Sequence, residues 1–214
     1  MKEPNPLHLN SSQGLGVPSF ARGGFSLIEL MVVVALLVIV TTLMWGSGST
    51  NYQKKQTEAC QGNLQKIYLA TEIYARDHAG KYPVVAGAQT SEEALSGLVP
   101  VYTSDISIFT CPWKDDSKLL TSQPLSKQRI SYAYYMGRTS QDGQLVLMSD
   151  RQIDTKPKNQ GEQAFSTTGL APGNNHAKFG GNLLFGDGRV EPSPALVPFS
   201  LGLTQGVVLL NPKP

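Results

Sequence analysis

The sequence predicts an α+β fold in which a long N-terminal helix, membrane-spanning at its start, carries a small antiparallel β-sheet head. Three observations predict it. The segment from Phe25 to Trp45 is almost wholly apolar, and a 3.6-residue pattern follows from Gln53 to Ala79. Beyond Pro83 the pattern breaks into short strand-like runs separated by Gly, Pro, Asn and Asp, without the alternating helices that a parallel sheet needs. The remaining composition is ordinary for a folded protein: 214 residues, 40% apolar and 16% charged. A net charge of +2, with scattered Lys and Arg, argues against nucleic acid as a partner.

At 1.5 Å per residue the run from Phe25 to Trp45 reaches about 31 Å, enough to cross a bilayer core once. A cleaved secretory signal fits poorly. The run is long for a signal core, 24 polar or mixed residues precede it, and no A-x-A-type site follows Trp45. The pair Gly23-Gly24 lies before the run instead. Within it stands one acid, Glu29, and an acid in a membrane span calls for a positive partner. Cleavage after Gly24 would supply one, because the new α-amino group of Phe25 lies about one helical turn from Glu29. Amine and carboxylate on neighbouring copies must then meet at one height, which sets the axial register of the helices.

The stretch "GGFSLIELMVVVALLVIV" resembles the N-terminal signal of type IV pilins and type II secretion pseudopilins. That resemblance implies that Gly24 ends a leader, that Phe25 becomes an N-methylated first residue, and that Glu29 directs assembly. The leader holds only Lys2 and Arg22, unlike the short, strongly basic leaders common in the family. Three further stretches, Ala59 to Pro83, Phe109 to Trp113 and Asn174 to Glu191, are similar to major-pseudopilin-like proteins. The implied organisation is a leader over 1–24, a transmembrane segment over 25–45, the soluble part of the helix over 46–80, and a loop and sheet domain over 81–214. The implied partners are a prepilin peptidase, copies of the chain and other pilins or pseudopilins, an inner-membrane assembly platform with its ATPase, and the membrane itself. The head would lie in the periplasm or on the cell surface.

In the soluble helix Leu64, Ile67, Tyr68, Thr71, Ile73 and Tyr74 define an apolar face, and His78-Ala79-Gly80 followed by Pro83 stops it. The linker "GSGSTN" from Gly46 to Asn51 predicts a soft point or a local break, since each Gly weakens a helix by about 1 kcal/mol. Ser91 is the expected N-cap of a short helix with Glu92 and Glu93 in its first turn. Strands are expected at Ile130 to Met136, Gln144 to Asp150, Gly181 to Asp187, Arg189 to Pro192 and around Val207 to Leu210. A turn is expected over Thr139 to Gly143, and Asp187-Gly188 signals a type I′ hairpin.

Two cysteines remain. Cys60 and Cys111 do not have paired C-x-x-C spacing, and an exported domain meets an oxidising environment, which points to a disulfide; two free thiols are the alternative. Asp150, His176, Asn182 and Asp187 are the side chains from which a metal-dependent hydrolase would be built, but no hydrolase motif accompanies them. The sequence therefore reads as a structural subunit, not an enzyme. A membrane-tethered binding or sensory domain is the rival reading. The resemblance also implies a possible calcium ion, for which Asp150 and Asp187 are the candidate ligands.

Overall fold

A computed structural model describes Gly24, residues 26–113 and residues 118–214; for residues 45–54 it describes the backbone alone. The expected leader, apart from Gly24, and the expected methylation site Phe25 lie outside the described residues. The chain divides into two compact units, Met1–Ser47 and Gly48–Pro214.

The first unit holds the start of helix α1 (Leu27–Asp77). The 18 residues Leu27–Met44 have a mean hydropathy of 2.8, and none of them is buried. Their hydroxyls are satisfied within the helix: Thr41 Oγ1 donates to the Leu37 carbonyl at 2.9 Å and Thr42 Oγ1 to that of Ile39 at 2.8 Å. Such back-bonding lets a threonine sit in an apolar span without an orphan donor. The backbone of α1 is helical through residues 46–51, so of the two expectations, a continuous helix with a soft point or a local break, the helix is continuous. Extending a formed helix adds a hydrogen bond per residue, and two glycines weaken that propagation without having to end it.

In the second unit the later turns of α1 bury Cys60, Leu64, Ile67, Ala70, Thr71 and Ala75. Ile73, expected on this face, is 48% exposed, and the small Ala70 and Ala75 take its place. The helix stops as its sequence suggests. Ala79 and Gly80 both adopt positive φ, and the Gly80 N–H bonds back to the Ala75 carbonyl at 2.8 Å, which closes a Schellman-type end.

Helix α2 (Ser91–Leu95) follows. Ser91 is not its cap. The N-cap is Thr90, with no side-chain capping bond, and Ser91 is the buried first residue of the helix. The helix is anchored through Glu92 instead. That buried carboxylate accepts the backbone N–H groups of Ile130 at 3.1 Å and Lys213 at 2.9 Å.

Five strands then build one antiparallel sheet: β1 (Tyr132–Met136), β2 (Val146–Asp150), β3 (Gly181–Phe185), β4 (Val190–Ser193) and β5 (Val208–Leu210), in the order β4-β3-β2-β1-β5. The α+β class follows directly. One sheet face, with Tyr132, Tyr134, Met148, Leu184 and Leu210, packs in the same core as the α1 residues. The other, with Ala133, Tyr135, Leu183, Phe185 and Leu209, is covered by Ala164, Phe165, Val197 and Leu201 from the long connections. A register shift between Val146 and Met148 makes Leu147 and Met148 both face the helix-side core.

The β3–β4 hairpin differs from its expected type. Only Gly188 in its loop takes positive φ (86°), and the Gly188 N–H donates to the Phe185 carbonyl at 3.0 Å. Gly186 lengthens the loop to three residues, so a left-handed glycine ends the turn in place of the I′ pair.

Candidate functional site

Two groups of residues carry the functional argument, one in each unit. In the first unit, Gly24 is exposed and Glu29 stands in the first turn of α1, also exposed, among apolar side chains that are themselves unburied. The Leu30 N–H bonds to the Ser26 carbonyl at 3.1 Å, so the helix begins three residues after Gly24 and holds Glu29 in regular geometry. A carboxylate near a helix N-terminus is favoured by the positive end of the macrodipole. Within hydrocarbon that partial charge is a weak substitute for a full cation.

In the second unit the sequence brings together residues far apart in the chain. Cys60, on α1, is joined to Cys111, with a Cα–Cα distance of 5.3 Å. The expected disulfide is therefore present. Beside it lies His176, whose Nε2 is 3.3 Å from Cys111 Sγ and whose Nδ1 is 3.5 Å from Asp150 Oδ2. Asp150 ends strand β2 and is held on both oxygens. Oδ2 accepts the Asn182 backbone N–H at 2.6 Å and its side-chain Nδ2 at 3.0 Å, and Oδ1 accepts Asn175 Nδ2 at 2.8 Å. Asn182 Oδ1 in turn accepts from Gln61 Nε2, at 3.0 Å, one residue after Cys60. Trp113 packs beside the imidazole with ring centroids 5.8 Å apart, and Phe179 packs on Trp113.

Three of the four side chains considered for hydrolysis thus meet: Asp150, His176 and Asn182. Asp187 does not join them. It sits in the β3–β4 loop, where its Oδ1 accepts the Arg189 backbone N–H at 3.0 Å and its Oδ2 lies 3.5 Å from Arg189 Nε. Asp150 and His176 are 0% and 2% exposed, so the cluster as folded offers no open face to a substrate. The two candidate calcium ligands do not fit a common shell either. Calcium takes six to eight oxygens, whereas Asp150 is committed to three N–H donors and Asp187 to a guanidinium. Sequence motifs gave no sign of Asn175 and Gln61 as partners in this cluster; the run "NNH" at residues 174–176 was the one local sign of a polar cluster.

Two tyrosines of strand β1 are strongly perturbed. Burial pushes the Tyr134 hydroxyl well above its ordinary value. Burial also raises Tyr135 to about 12, against opposing contributions from the Gln152 hydrogen bond and the Arg138 charge.

Residues 20–45 match the family model described as the prokaryotic N-terminal methylation motif. No curated protein and no solved structure matches the chain. The matched residues include Gly24, Phe25 and Glu29, and an apolar helix of this length is compatible with membrane anchoring. On an exposed apolar helix joined in sequence to an antiparallel α+β unit, the chain carries the signature of type IV pilins and pseudopilins.

Proposed function

We propose that the protein is a structural subunit of a type II secretion pseudopilus or a type IV pilus-like filament. The observation that carries this reading is the motif over residues 20–45, set on an apolar segment with no buried residue and a single acid. A prepilin peptidase cuts between Gly24 and Phe25, and the new amine is methylated. The subunit waits in the inner membrane with its head on the far side, in contact with an assembly platform and its ATPase. Helices of successive copies then pack against one another, with each Glu29 meeting a neighbour's Phe25 amine. The role is mechanical, and the head is the part displayed.

A tethered binding domain remains the second reading because the head has an open cavity of about 630 Å³ lined by Tyr135, Arg138, Phe185 and Arg189 among others. Aromatic and guanidinium side chains around one cavity suit a ligand. Processing separates the two readings. Co-expression with a prepilin peptidase, followed by mass spectrometry of the N-terminus, should find a chain beginning at methylated Phe25. An uncut chain in the presence of active peptidase would overturn the filament reading.

A further inference from the structure

We propose that the Cys60–Cys111 cluster is also a soft-metal site, holding zinc on Cys60 Sγ, Cys111 Sγ and His176 Nε2 whenever the disulfide is open. Donor atoms of Cys60, Cys111, Asp150 and His176 all lie within 4.8 Å of one another, and all four residues are buried. Two thiolates and an imidazole are the ligand types zinc selects. In a tetrahedral site the two sulfurs stand about 3.8 Å apart and sulfur and nitrogen about 3.5 Å apart, from Zn–S and Zn–N bonds of about 2.3 and 2.0 Å. Cys111 Sγ and His176 Nε2 are already 3.3 Å apart. Side-chain rotation at the cysteines supplies the rest once the S–S bond is broken.

The orientation of His176 favours the metal state in particular. Its Nδ1 faces Asp150, so with the proton on Nδ1 the lone pair of Nε2 points at Cys111 Sγ. A disulfide sulfur has no proton to offer that lone pair. A thiol or a metal ion does satisfy it. Asp150, pinned by Asn175 and Asn182, then occupies the place behind the imidazole that carboxylates take in metal sites, where they fix the ring and raise its basicity. A water completes the fourth position.

The two states exclude each other and interconvert in two balanced steps. A dithiol reductant gives two electrons and two protons to the S–S bond and leaves as its own disulfide, producing two thiols. Zinc then replaces both thiol protons, which are released to solvent. Because the cluster is closed to solvent, the ion enters while the reduced head is folding.

The test uses the full chain in detergent micelles, reduced with a phosphine in mild denaturant, freed of phosphine without oxygen, and refolded with cobalt(II) as the spectroscopic probe. The reduced wild type should bind one cobalt per chain with thiolate-to-cobalt charge transfer and tetrahedral d–d bands, all bleached by zinc. The oxidised wild type should show none. His176→Ala should weaken cobalt binding more than tenfold, and Asp150→Asn should weaken it about 10- to 100-fold, the range for a residue that orients a ligand. Absent bands in the reduced wild type, or unchanged affinity in His176→Ala, would overturn the site. X-ray absorption on the zinc-loaded wild type needs no variant to fold: it should show two sulfurs and one imidazole, and a shell without imidazole would reduce the finding to two adventitious thiols.

Discussion

The segment Leu27–Met44 and the sheet of the head show opposite relations to solvent. Along the first, large apolar side chains such as Leu30, Leu37 and Val38 are more than half exposed; within the second, even Ser149, Asp150 and Asn182 are wholly buried. A helix with apolar residues on every side leaves that surface uncovered in water, which is compatible with a place in lipid or against other helices. The head completes itself. Its polar interior is tolerated because the carboxylate of Asp150 has a donor on each oxygen, and its tertiary contacts are tied by a covalent bond. One part of the chain therefore leaves its apolar surface uncovered, and the other covers its own.

The largest expected effect tests the first half of that contrast. Glu29→Gln removes a charge at nearly constant size, so membrane insertion and cleavage should proceed while filament assembly collapses. Leaving an amine in hydrocarbon without its counter-charge costs about 3 to 5 kcal/mol per subunit. Comparison of sheared-filament and membrane fractions measures it, and a normal filament yield would mean that register is set elsewhere. The head should melt at the wild-type temperature in either case.

Cys111→Ser addresses the second half. Opening a loop of 51 residues' separation should remove about 4 kcal/mol in the chain-entropy account and lower the melting temperature by about 10 °C, read by circular dichroism. Insertion into the membrane should not change. If stability were indifferent to the bond, the packing around Leu64, Ile67 and Phe109 would be sufficient without it.

Alkali gives a smaller, graded effect on the head alone. Folding raises the hydroxyls of Tyr134 and Tyr135, chiefly by burial, so the native state keeps protons that the unfolded chain releases near pH 10. The stabilisation is complete below that value and is lost as pH rises toward and beyond about 12. Melting temperatures should be level from pH 7 to 9 and fall steeply above pH 10. Tyr134→Phe should flatten the fall, at the expense of the hydrogen bond from Tyr134 Oη to the Pro83 carbonyl at 2.8 Å. Calcium removal is expected to do least: chelator should leave the melting curve of the full chain unmoved, and a shift abolished by Asp187→Ala would instead establish a calcium shell at the β3–β4 loop.

Much of this was legible in the residue order, for reasons that vary by element. Gln144 to Asp150 and Gly181 to Asp187 read as strands because apolar runs bounded by turn residues have few alternatives, and the strands formed there are Val146–Asp150 and Gly181–Phe185. That both faces of the sheet are covered was not legible. Ala164, Phe165, Val197 and Leu201 lie in irregular connections with no period to betray them. The I′ expectation at Asp187-Gly188 failed because Gly186 lengthens the loop, a difference of one residue that turn statistics weigh poorly. The buried cluster joins Cys60 to His176 across the sheet topology, so its membership follows from strand order and not from local spacing. Glu29 is the most readable candidate residue of all, since a lone acid in an apolar run is conspicuous without any fold.

Strand β5 lies beside β1, and the segment after it is woven back into the earliest part of the head: the Ser91 N–H donates to the Asn211 carbonyl, Asn211 exchanges side-chain bonds with Gln152, and the Lys213 N–H reaches Glu92. On a ribosome this ordering acts as a timer. Glu92 emerges more than a hundred residues before Lys213 does, and until then the carboxylate must remain hydrated and the edge of β1 unpaired. A chain that ends before Val208 therefore leaves bare the β1 edge that β5 covers in the finished head, and an unpaired edge of that kind is a template for pairing with another chain.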